Sequence, residues 1–142
     1  MQVREIMNSN VVSIAPEESA SLAARLLNRY NVGALPVCGT GQTLRGILTD
    51  RDIVMRCIAA DGDPEHTPVK EIMTRNVATI LPEDDVRNAA RLMASKQVRR
   101  LPVVENGKLV GMLSLGDMAK SRIFDMEASK ALSEISANIR KK

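Results

Sequence analysis

The chain repeats itself at a spacing of 66 residues, so its fold must accommodate two copies of one small unit. Val3-Arg4-Glu5-Ile6-Met7 returns as Val69-Lys70-Glu71-Ile72-Met73, and Asn10-Val11 as Asn76-Val77. The same shift carries Pro16-Glu17 onto Pro82-Glu83 and Ala23-Ala24-Arg25-Leu26 onto Ala89-Ala90-Arg91-Leu92. It also places Leu35-Pro36-Val37 on Leu101-Pro102-Val103. After one extra residue near Thr43, a shift of 65 maps Gly46, Leu48 and Asp52 onto Gly111, Leu113 and Asp117. Chance does not hold one register over that length. With 142 residues, the chain has room for one compact domain or for two small repeats sharing a core.

Each copy carries the same order of local signals. A short helical start over Val3 to Met7, or Val69 to Met73, leads to an extended stretch around Val11-Ile14 or Val77-Ile80. Pro16 or Pro82 stops the strand, and Ser19 or Asp85 can cap the helix that follows. Leu22, Ala23, Leu26 and Leu27, and Val86, Ala89, Ala90 and Met93, recur at three- and four-residue intervals and define one buried face. Two β-rich runs follow, Ala34-Cys38 and Leu44-Thr49 in the first copy, Leu101-Val104 and Lys108-Ser114 in the second. Their connections, Gly39-Thr40-Gly41 and Glu105-Asn106-Gly107, suit hairpins. A helix starting near Asp50 or Leu115 closes each copy. The expectation is an α/β (α+β) chain of two β-α-β-β-α repeats: 1–62, a linker over 63–68, 69–123, and a helical tail over 124–142. One copy is too small to bury both faces of its strands. Packing sheet to sheet about a pseudo-two-fold axis would solve that, and predicts two equivalent clefts between the copies.

The pattern closing each repeat bears the chemistry. It reads Gly46-Ile47-Leu48-Thr49-Asp50-Arg51-Asp52-Ile53 and Gly111-Met112-Leu113-Ser114-Leu115-Gly116-Asp117-Met118. In both, a hydroxyl residue ends a strand and a carboxylate follows three positions later. Thr49 and Ser114 therefore suit helix N-caps whose capping boxes Asp52 and Asp117 complete. The same arrangement suits a ligand, because free helix N–H groups attract phosphate and a nearby carboxylate matches vicinal ribose hydroxyls. Both readings stand at this point.

Other chemistries find less support. The only histidine, His66, lies in Asp61-Gly62-Asp63-Pro64-Glu65-His66-Thr67-Pro68, which has a solvated loop's composition. There is no Gly-x-Ser-x-Gly, no Walker loop and no paired Cys/His motif, so neither an enzyme nor a metal site is expected. Cys38 and Cys57 read as small buried apolar residues, with a redox pair as the alternative. The net charge of +3 is scattered, and Tyr30 and Phe124 are the only aromatics, which argues against nucleic acid. No apolar run approaches the length of a spanning helix and Met1-Gln2-Val3-Arg4-Glu5 has no signal organisation, so a cytoplasmic protein with no membrane partner is expected.

The two motifs in register, the preceding Leu-Pro-Val and the duplication resemble the cystathionine-β-synthase-type (CBS) domain family from Val3 to about Ile123. Members pair two copies into a module, and two modules commonly form a disc-like homodimer. The resemblance implies an adenosyl ligand such as AMP, ADP, ATP or S-adenosylmethionine. It assigns ribose hydroxyls to Asp52 and Asp117 and phosphate to Thr49 and Ser114. Val12, Val32 and Gly33, and Ala78, Val98 and Arg99, would line the adenine pockets, and Arg51 could reach a phosphate. The copies differ at Gly33-Ala34 against Arg99-Arg100, so their affinities should be unequal. The paired arginines suit a phosphate neighbour; covering the surface, or pairing with an acid such as Asp50, is the alternative. The expected role is a regulatory module acting through dimer conformation or an unidentified partner protein; the rival is a structural or interaction protein with vestigial sites. In the tail, Ile123, Met126, Leu132, Ile135 and Ile139 form a loosely amphipathic pattern that either packs back on its own module or joins a partner.

Overall fold

The computed structural model describes residues 1–120 and 130–137. Its two compact units are not the repeats as they run along the chain. One unit is Val12–Val77, and the other combines Met1–Val11 with Ala78–Lys142. Each unit thus contains the body of one repeat and the lead segment of the other.

In the unit over Val12–Val77, α1 (Ala20–Tyr30) begins where extended Ser19 accepts the Leu22 N–H at 3.0 Å. It stops at Asn31, whose φ of 51° is left-handed and whose N–H bonds the last-turn carbonyls. Ala20, Ala23 and Leu27 are its buried face. An antiparallel hairpin follows, β1 (Ala34–Cys38) and β2 (Leu44–Thr49), with Leu35 opposite Leu48 and Val37 opposite Gly46. Leu35 and Leu48 are fully buried, which contributes about 1.5–3 kcal/mol each. Thr49 then caps α2 (Asp50–Ile53), which widens directly into a π-helical turn over Val54–Ile58.

The second repeat follows the same course. Asp85 caps α3 (Val86–Lys96), which ends at left-handed Gln97. β3 (Arg100–Glu105) and β4 (Lys108–Ser114) pair with Leu101 opposite Leu113, and Ser114 caps α4 (Leu115–Ala119). Here the turn is the two residues Asn106-Gly107, with φ of 54° and 77°, the backbone twist tight hairpins favour. The first hairpin instead uses a 3-10 turn over Thr40–Gln42 with Gly41 at φ 68°. That loop holds the extra residue that changes the repeat shift.

The structure departs from expectation in the opening strand of each copy, which is reduced to one parallel bridge, Ile14 to Val37 and Ile80 to Val103. Ile14 donates its N–H to Pro36 O at 3.0 Å and accepts from Cys38 N–H at 2.9 Å. Two residues later Pro16 has no N–H with which to extend the ladder.

The lead segments are single 3-10 turns, Val3–Glu5 and Val69–Glu71. Val3 and Arg4 donate N–H bonds to Asp84 O and Pro82 O, both 2.9 Å, while Val69 and Lys70 donate to Glu18 O and Pro16 O at 2.8 and 3.0 Å. Asn8 and Met112 exchange two backbone bonds, as do Thr74 and Ile47. Val69, Ile72 and Met73 accordingly join Leu35, Leu48 and Ile53 in one core, and Val3 joins Leu101, Leu113 and Met118 in the other.

The linker is largely exposed, and its backbone is also tied to α1. Ala20 and Ser21 donate their N–H groups to Thr67 O and Pro64 O at 2.8 and 2.9 Å, filling donors that α1 leaves open. In the tail, residues 130–137 form a helix, α5, whose Ala131 and Ile135 are buried in the same core as α3's Ala90 and Met93. Leu132, expected on the apolar face, is 43% exposed. Ile123, Met126 and Ile139 lie outside the described residues. No described helix is long and apolar enough to cross a membrane.

Candidate functional site

The strand-to-helix junctions at Thr49 and Ser114 are built alike. Thr49 Oγ1 accepts the Asp52 N–H at 3.1 Å, and Asp52 Oδ2 accepts the Thr49 N–H at 2.9 Å. Ser114 Oγ and Asp117 Oδ2 do the same at 3.0 and 2.9 Å. These reciprocal bonds are capping boxes, worth about 1 kcal/mol for the hydroxyl cap alone. Each box uses one carboxylate oxygen. The second oxygen of Asp52 faces the Arg56 guanidinium at 3.9 Å, and that of Asp117 has no hydrogen-bond donor among the described residues. Asp52 is 9% exposed and Asp117 half-buried.

The candidate residues divide cleanly between units. Val12, Val32, Gly33, Thr49, Arg51 and Asp52 belong to Val12–Val77; Ala78, Val98, Arg99, Arg100, Ser114 and Asp117 belong to the other unit. Pairing of β1 with β2 sets Ala34 opposite Thr49, so Gly33 enters the hairpin beside the cap. In the second copy Arg100 is opposite Ser114, and Arg99 O accepts the Leu115 N–H at 2.9 Å. Val12 packs partly on one core, and Ala78 and Val98 on the other. Val32 is 42% exposed, and Arg51 and Arg99 lie at the surface.

Two roles escaped the sequence reading. The glycine opening each motif is a contact point for the lead segment. A Cβ on Gly46 would lie 2.6 Å from Thr74 O and 2.9 Å from Met73 Sδ; on Gly111 it would meet Met7 Sδ at 2.7 Å and Asn8 O at 3.0 Å. Arg56 is the other. From the π-helical turn it donates to Ile72 O and Met73 O at 3.3 and 3.1 Å while facing Asp52. Its position four residues after Asp52 was the available signal.

The remaining reactive side chains stand apart from the motifs. Cys38 and Cys57 are free and buried, and burial pushes the Cys38 thiol up from its usual value, against a hydrogen bond with Ser13. His66 Nδ1 meets Asp63 Oδ2 at 2.6 Å on the exposed linker. Among the described residues no three His, Cys, Asp or Glu side chains gather as a metal would require.

A duplicated lead turn, helix and hairpin, each closed by a hydroxyl–carboxylate capping box, define a class of paired α/β modules. The chain belongs to the CBS domain family, whose model matches residues 3–58 and 69–123. It is 40% identical over 134 residues to the CBS domain-containing protein YhcV of Bacillus subtilis, covering 94% of both chains. It is 34% identical over 117 residues to hypoxic response protein 1 of Mycobacterium tuberculosis, covering 82% of each. The crystal structure of Hypoxic Response Protein I with two coordinated zinc ions superposes with a TM-score of 0.79, 33% identity and coverage of 84% and 98%. The CBS domain pair of protein MJ0100, in complex with 5′-methylthioadenosine and S-adenosyl-L-methionine, gives a TM-score of 0.75 at 27% identity, covering 84% and 94%.

Proposed function

We propose that the chain is a regulatory module that binds an adenosyl ligand at its Thr49–Asp52 and Ser114–Asp117 motifs, and is not an enzyme. The carrying observation is the division of labour in each carboxylate. One oxygen secures the helix cap, and the other makes no hydrogen bond to the described residues in either motif; at Asp52 it has only the Arg56 guanidinium at 3.9 Å, so both have capacity for a donor pair such as ribose hydroxyls. Because the protein's own hydrogen bonds hold each cap in place, a site of this kind needs little reordering on binding. The ligands carried by the MJ0100 domain pair support an adenosyl compound over other nucleosides. Val12, Val32 and Gly33, and Ala78, Val98 and Arg99, line the base; Arg99 and Arg100 are the cations for phosphate, and Arg51, the one cation of the first motif, is flanked by Asp50 and Asp52. Output goes through a homodimer or a regulated protein, and exposed Val54, Met55 and Ile58 offer an apolar surface for such contact. Ligand shifts only states that it binds unequally.

The test is thermal denaturation with adenosine, AMP, ADP, ATP and S-adenosylmethionine. At about 100 times Kd, a ligand of the folded state adds about 2.7 kcal/mol and raises Tm by several degrees. The Asp52→Ala, Asp117→Ala double variant should lose the response. If no ligand moves the wild-type Tm, the capping boxes are purely structural and the module serves interaction alone.

A further inference from the structure

The two motif sites carry different charge. In the second copy Arg100 stands directly across the strand pair from Ser114, and the backbone of adjacent Arg99 is bonded to the first residue of α4. Among the described residues, neither side chain has an ion pair or hydrogen bond. Arg100 is half-buried and Arg99 exposed. Asp117 is the only carboxylate of that motif, which leaves an excess of positive charge beside the hydroxyl cap.

The first copy reverses each of these features. Ala34 takes the place of Arg100 across from Thr49, and Gly33 that of Arg99. Exposed Asp50 stands where the second copy has buried Leu115, and its carboxylate accepts the Arg51 N–H at 2.8 Å. Asp52 faces Arg56 at 3.9 Å. Two carboxylates therefore offset two guanidiniums. The described residues of the two units differ in the same sense: 9 basic and 7 acidic, net +2, in the unit of Ser114, against 7 basic and 8 acidic, net −1, in that of Thr49. A phosphate-bearing ligand is attracted by both the near and the distant charge of one site and by neither at the other.

Resting on the adenosyl-ligand reading, we infer that the sites are sorted by ligand charge. The Ser114–Asp117 site, through Arg99 and Arg100, selects an adenine nucleotide carrying several phosphates. The Thr49–Asp52 site is indifferent to phosphate and takes an adenosyl compound of low or no negative charge. One chain then samples two ligand classes at once, and its state reports their combination.

Calorimetric titration of the full chain with adenosine, AMP and ATP, without added magnesium, tests this. Asp52→Ala leaves the Ser114–Asp117 site; Asp117→Ala leaves the other; the Asn variants, which keep the cap acceptor, replace either that melts early. With Asp52 changed, ATP should bind about tenfold or more tightly than adenosine, with AMP between them, and the ratio should shrink as salt rises. Adding Arg99→Ala and Arg100→Ala should bring that ratio towards one. With Asp117 changed, ATP and adenosine should agree within about threefold. Equal ATP and adenosine affinity in the Asp52 variant, or a ratio that survives loss of both arginines, overturns the charge sorting while adenosyl binding stands. Wild-type chain that binds none of the three overturns both readings.

Discussion

Gly46 and Gly111 occupy the same motif position but are constrained to different degrees. At Gly46 the nearest obstruction is the backbone oxygen of Thr74, 2.6 Å from a built Cβ, in a strand bridge that cannot yield without breaking two hydrogen bonds. At Gly111 the nearest atom is the end of Met7, a half-buried flexible side chain able to swing aside. Gly46→Ala is therefore expected to cost about 2–3 kcal/mol and Gly111→Ala about 1–2 kcal/mol in urea unfolding. Equal costs, or the reverse order, would show that the lead segments shift as freely at one glycine as at the other. The motif aspartates are individual in another way: Asp52 is buried against Arg56, and Asp117 is more open and lacks a described cation at that place.

Among the elements, the linker is as exposed as its composition suggests but is ordered by its own hydrogen bonds. Asp63 organises it, accepting at Oδ1 from the Glu65 N–H, at Oδ2 from His66, and at its carbonyl from Thr67 Oγ1. Ser21 of α1 donates to Glu65 at 2.7 Å, and Arg25 donates to Ser21. The hydrogen bond to Asp63 raises the His66 pKa above its ordinary value, and the same bond holds the Asp63 carboxyl below its own. The raised imidazole contributes stability that is full below the unfolded-state pKa and is lost as pH rises through the folded one. The depressed carboxyl contributes above its unfolded value and is lost as pH falls through the folded one. Both groups are solvated, so the effect is small. The melting advantage of wild type over His66→Gln should peak near pH 5 and narrow above about pH 7 and below about pH 4. A difference that is flat with pH would mean that the pair is not formed in solution.

For the whole molecule, the units cross the sequence repeats. A fragment over 1–62 lacks Val69, Ile72 and Met73, which complete the core around Leu35 and Leu48, and it carries Val3 without its own core. A fragment over 12–77 holds the whole unit in one stretch. Circular dichroism during urea titration should show a cooperative transition for 12–77 and none for 1–62. Small size makes 12–77 marginal, so the comparison is best made near 10 °C. A cooperative transition in 1–62 alone would show that the lead segment of a repeat can pack on its own body.

Local patterning made much of the chain readable. The duplication, both long helices and their caps, both hairpins and the two motifs are written in neighbouring residues. Helix periodicity, cap chemistry and turn residues act over a few positions, and each has a recognisable spacing. The candidate residues follow from the same motifs, and the hairpin registers then place Ala34 and Arg100 opposite the caps. Tertiary structure alone decided which lead segment joins which body. By sequence, Glu18 and Asp84 are equivalent acceptors for Val3, since the duplication makes the two bodies alike. Only the path of the chain selects Asp84 for Val3 and Glu18 for Val69. The glycines of the motifs, the guanidinium of Arg56 and the docking of the linker on α1 all depend on contacts between distant residues. Such contacts have no period along the chain, so their physical cause appears only when the backbone brings the partners together.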